Sequence, residues 1–103
     1  MSKFYVTCGS KSLVVSADSA ETAAMRLMDA TLAEHTWIYS DTELREQDRR
    51  DHIALEALLN LGTTVLVSER GIGRSEALKM GVPELLEQWH QLMTALSRLF
   101  AKI

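Results

Sequence analysis

The sequence predicts a small two-layer α+β domain: an N-terminal β-hairpin and a third strand in the order 2-1-3, with two or three helices packed on one face. Three observations carry that expectation. Apolar residues alternate on either side of a short glycine-containing connection at residues 9–12, a β-branched run at 63–67 follows a helical pattern, and an apolar stripe at helical spacing occupies residues 85–103.

Phe4, Val6 and Cys8 alternate with Tyr5 and Thr7, and after Gly9-Ser10-Lys11-Ser12 the residues Leu13, Val14 and Val15 continue to Ala17. A period of two puts Phe4, Val6 and Cys8 on one face of the first strand and Leu13, Val15 and Ala17 on one face of the second, and the connection makes a hairpin. Those faces need a helix to cover them. Asp18 stands where a helix cap belongs, with Glu21 three residues later to complete a capping box. Ala20, Ala23, Ala24, Leu27, Met28 and Leu32 then recur at helical spacing, and the small residues let the helix lie close to a sheet. The pattern predicts an end near His35, before Trp37-Ile38-Tyr39, an aromatic cluster read as buried packing.

Ser40 and Glu43 offer a second capping box. Residues 41–51 then hold eight charged side chains in eleven positions, with Leu44 the only large apolar one, so this segment reads as a solvated helix or a mobile loop. From His52 onward, Ile53, Leu55, Leu58, Leu59 and Leu61 give a helix that stops at Gly62. Thr63-Thr64-Val65-Leu66-Val67 has the content of a buried strand, expected beside the first strand after a right-handed crossover. The chain leaves it through a glycine-punctuated turn; Ser75 is expected to cap one short helical turn ended by Gly81, and Pro83 suits the first position of the last helix.

In that last helix Leu85, Trp89, Leu92, Leu96, Leu99 and Ile103 follow steps of 4, 3, 4, 3 and 4, while Leu86, Met93 and Phe100 recur every seven residues. Three apolar heptad positions make a stripe wider than a two-position coiled-coil seam. The expectation is a helix docked on the sheet, with Leu99, Phe100 and Ile103 meeting a second copy of the chain.

A chain of 103 residues with 47% apolar and 24% charged residues fits one domain spanning 1–103. At this length folding removes about 65% of the unfolded surface, so self-association is a natural supplement to stability. The single Cys8 cannot form an internal disulfide, and no charged-then-apolar leader precedes the first strand pattern; both fit the cytoplasm. The uncharged run 57–68 is too short for a membrane span, which takes about 20 apolar residues. Residues 1–40 carry three basic and four acidic side chains, 41–62 three and six, and 63–103 five and four. No basic face emerges, so nucleic-acid binding is disfavoured.

Signals for chemistry are sparse. Arg70-Gly71-Ile72-Gly73-Arg74-Ser75 is the best candidate for an anion or small-molecule ligand, since glycines can present backbone N–H groups and arginines can add bidentate contacts. It lacks the further glycine of a dinucleotide fingerprint and the Gly-Lys-Ser/Thr of a P-loop, and Glu76 opposes an anion. Glu87-x-x-His90 has the spacing of a helical di-metal ligand pair, but it occurs once, and the heptad places both residues away from the Leu85/Leu92/Leu99 file. His52 and Glu56 stand one helical turn apart and His35 follows Glu34, neither pair having a third ligand at metal spacing. Tyr5 is expected on the sheet face away from the helices, where it covers the strands rather than stacking bases. The reading is a non-enzymatic interaction or accessory domain with no metal or cofactor, forming a homodimer or meeting another protein; the alternative is a phosphate- or small-molecule-binding regulatory domain built on the Arg70–Ser75 turn.

Overall fold

A computed structural model describes residues 2–72 and 76–101. The hairpin forms from β1 (Ser2–Cys8) and β2 (Lys11–Ala17), followed by α1 (Ala20–Leu32), a 3-10 segment (Ala33–Tyr39), α2 (Glu46–Asn60), β3 (Thr64–Ser68), β4 (Leu78–Gly81) and α3 (Val82–Ala101). The strands make one antiparallel sheet in the order β2-β1-β3-β4. The expected order 2-1-3 is present, extended by a fourth strand where one turn of helix was expected before Gly81.

Register follows side-chain alternation. Phe4 pairs with Val15 and Val6 with Leu13 on one side, and Val6 with Val67 on the other. Met80 faces Val65 and Leu78 faces Val67 across the last pair. Phe4, Val6, Cys8, Val65 and Val67 are therefore buried together beneath Ala23, Ala24, Leu27 and Met28 of α1. Tyr5, beside Val14 in the register, lies on the opposite face, half-buried, with Lys3 Nζ 5.2 Å from its ring centroid.

β3 runs antiparallel to β1, so the right-handed crossover expected between them does not arise; that rule governs parallel strands. The cause is where β3 starts. Gly62 lies against Gly9 at the hairpin end of the sheet, and a strand that starts there must run opposite to β1. Gly9 has φ +59°, which turns the hairpin, and a Cβ on it would sit 3.2 Å from Gly62 N.

The helix boundaries also differ in detail from the sequence expectation. Ser19, not Asp18, caps α1: its backbone is extended and its Oγ accepts from Thr22 N at 3.1 Å, because β2 pairs through Ala17 and delays the helix. α1 stops at Leu32, and the chain tightens into the 3-10 segment, which buries Ile38 and Tyr39 but leaves Trp37 55% exposed. α2 starts at Glu46 rather than after Ser40. Asp48 reaches back to the Arg45 N–H at 3.1 Å, while Ser40 Oγ donates to Trp37 O at 3.0 Å.

α1 packs on the strands, α3 packs beside it against α1 and β4, and α2 packs on α1, α3 and the 3-10 segment. α3 is consequently covered on two sides, its buried residues being Val82, Leu85, Trp89 and His90. Leu92, Leu96, Leu99 and Phe100 of the apolar files are instead exposed. Among the described residues no helix is long and apolar enough to cross a membrane.

Candidate functional site

The Arg70 turn is only partly described: Gly73, Arg74 and Ser75 lie outside the described residues. Arg70 donates its backbone N–H to Ser68 Oγ at 3.0 Å, and Gly71 has φ +149°, a conformation open to glycine. Beside Arg70 is a cleft of about 460 Å³ against the start of α1, and Asp18, Glu69 and Glu76 line it as well. Three acidic side chains thus line the cleft together with Arg70.

The Glu87/His90 pair is separated by its surroundings. His90 is 1% exposed, against the sequence expectation that it faces away from the core, because α2 and the 3-10 segment cover that side of α3. Its Nδ1 lies 2.8 Å from the Tyr39 hydroxyl and its Nε2 3.4 Å from Glu46 Oε1. A carboxylate can only accept, so in the neutral ring Nε2 carries the proton and Nδ1 accepts from Tyr39 O–H. Glu87 is paired with Arg50, which also reaches Glu46 at 3.4 Å. The His90 bond, then Arg50, hold the Glu46 carboxyl below the usual carboxylate range, and Arg50 does the same for Glu87. Burial pushes the Tyr39 phenol up to about 12, with Arg49 and Arg50 pulling the other way. This network fastens α3 to α2 and the 3-10 segment.

Elsewhere the fold assembles what sequence spacing does not reveal. His52 and Glu56 lie on one face of α2, and the 3-10 segment brings His35 against both: His35 Nδ1 is 3.1 Å from His52 Nε2, and His35 Nε2 is 3.2 Å from Glu56 Oε2. One ligand atom from each of the three residues can be chosen so that no pair is more than 4.8 Å apart. The side chains of His35 and Glu56 each keep 23% of their surface exposed, leaving one side open to solvent. Trp37 stands edge-on to His52 at a centroid separation of 5.9 Å, and Asn60 Nδ2 approaches Glu56 Oε2 at 3.5 Å. The only advance signal was the His52/Glu56 spacing; His35 joins from a different element.

The third feature is apolar. Leu92, Leu96, Leu99 and Phe100 are 47%, 36%, 58% and 67% exposed on the second half of α3. Met93, Leu96 and Phe100 also line a groove of about 490 Å³ against Thr36, Tyr39 and Ser40. Ile103, expected to share this surface, lies outside the described residues. Cys8 is buried under Gly62, and burial raises its thiol, so it offers no reactive thiolate.

Comparison of the chain with known protein families, with curated proteins and with solved structures gives no match. Fold and side chains define the class: an antiparallel α+β domain with a half-exposed His/His/Glu cluster and an uncovered apolar helix end.

Proposed function

We propose that this chain is a non-enzymatic interaction domain that pairs with a second copy of itself through the second half of α3, in a reducing, cytoplasmic setting. The observation that supports this reading is the exposed run Leu92, Leu96, Leu99 and Phe100. Contiguous apolar surface of this kind is uncommon on monomers and marks contact faces. The same surface offers both a ridge and a recess, since the 67% exposed Phe100 forms one wall of the groove that Met93 and Leu96 also line. Two-fold pairing places each copy's Phe100 against the other's groove, as an isologous interface requires. The lone, buried Cys8 suits the setting.

Light scattering and sedimentation from micromolar to submillimolar protein test this. The wild type is expected to run as a dimer, and a Leu96→Glu, Leu99→Glu variant as a monomer with an unchanged far-UV spectrum. A wild type that stays monomeric across that range removes the proposal.

A further inference from the structure

We propose that His35, His52 and Glu56 form a zinc site clamping the 3-10 segment to α2, a property separate from self-association through α3. Two imidazole nitrogens and one carboxylate oxygen are a borderline donor set, suited to zinc, cobalt or nickel and poorly suited to calcium or magnesium. The spacing is within reach as well. Zinc–nitrogen bonds of about 2.0–2.1 Å in a tetrahedron put ligand atoms about 3.4 Å apart, and each His35 nitrogen stands near that distance from a different partner, Nδ1 at 3.1 Å from His52 Nε2 and Nε2 at 3.2 Å from Glu56 Oε2.

A single ion takes only one nitrogen of His35, so the ligand set closes by a side-chain rotation from a starting spread of at most 4.8 Å. Two of the three ligands need little ordering, because His52 and Glu56 project from adjacent turns of one helix. Without a metal and with both rings neutral, Glu56 accepts from His35 Nε2–H, which leaves His35 Nδ1 to accept from His52 Nε2–H. Ligation by His52 Nε2 needs only that ring's other neutral tautomer, with its proton on Nδ1. Asn60, donating to the Glu56 backbone oxygen at 2.8 Å and near its carboxylate at 3.5 Å, supplies outer support to the acidic ligand. The exposed side of the cluster leaves the fourth position to water.

The test is a titration of the metal-free 103-residue chain with zinc chloride, followed by calorimetry and by histidine ring NMR. The chain has three histidines, so the spectrum discriminates without any substitution: the His35 and His52 resonances move at one equivalent while buried His90 does not. Cobalt(II) in place of zinc is expected to give the visible absorption of a four-coordinate site, and zinc to raise Tm. His35→Ala, His52→Ala and Glu56→Gln each weaken zinc binding by at least about tenfold, and Asn60→Ala weakens it by less. Absence of binding at submillimolar zinc, or binding that these three substitutions leave unchanged, overturns the proposal and leaves the trio as a hydrogen-bonded link between two elements.

Discussion

The Tyr39 hydroxyl stands 2.8 Å from His90 Nδ1 in the interior, joining the end of the 3-10 segment to the middle of α3. Tyr39→Phe leaves that nitrogen buried without a donor, at a cost of about 1–3 kcal/mol. Urea denaturation measures it. The double variant Tyr39→Phe, His90→Leu is expected to lose less than the sum of the two single losses, since it removes both halves of the pair.

Stability is expected to fall at both ends of the pH scale. The Glu46 and Glu87 carboxyls are lowered from the ordinary glutamate value in the folded state, by the His90 bond and then Arg50 for Glu46 and by Arg50 for Glu87. Their contribution is thus present above that ordinary value and lost as pH falls through the lower folded values. Tyr39 lies the other way: its stabilisation is intact below about 10, where an unfolded tyrosine ionises, and is lost as pH rises to about 12. Urea midpoints across the range check both limbs, and Glu87→Gln is expected to flatten the acid one.

Trp89 is 1% exposed and its indole N–H donates to Asp29 Oδ1 at 2.8 Å, whereas Trp37 is 55% exposed. Trp37→Phe is therefore expected to leave a fluorescence that iodide barely quenches. Asp29→Ala, which strands the indole N–H, is expected to cost about 1–3 kcal/mol.

Among the described residues Thr94 Oγ1 is a buried polar side-chain atom with no hydrogen-bond partner. Thr94→Val keeps the shape and removes the hydroxyl, and helix preference barely changes. A gain of about 1 kcal/mol is expected, read as a higher urea midpoint.

Gly9 offers the opposite case. Gly9→Ala forces a Cβ onto a residue at φ +59° and within 3.2 Å of Gly62 N. The backbone conformation alone costs about 1–2 kcal/mol, and thermal unfolding is expected to show at least that loss.

The hairpin and α1 were legible because their signals are local: alternation in Phe4-Tyr5-Val6-Thr7-Cys8, and the Ala23/Ala24/Leu27/Met28 face. β4 was not, since Leu78-Lys79-Met80 alternates too briefly to outweigh the nearby glycine and serine turn signals. The apolar files of α3 gave its existence but not its covered side. Helical spacing finds a stripe, whereas α2 decides that His90 is buried and Leu92 is not. His35 meeting His52 and Glu56 was beyond reach for the same reason, because tertiary packing and not spacing sets that distance.

The backbone contact of Gly9 with Gly62 bears on how the chain can be re-engineered. Hairpin turns are ordinarily good sites for inserted peptides. Here an insertion at Gly9-Ser10 would push directly on the entry to β3 and unseat the sheet centre, so the turn is closed to tags and permuted termini. The segment before α2 is the better place to open the chain, at Glu43, which is exposed, lies outside the groove of Met93 and Phe100 and has no β-ladder pairing.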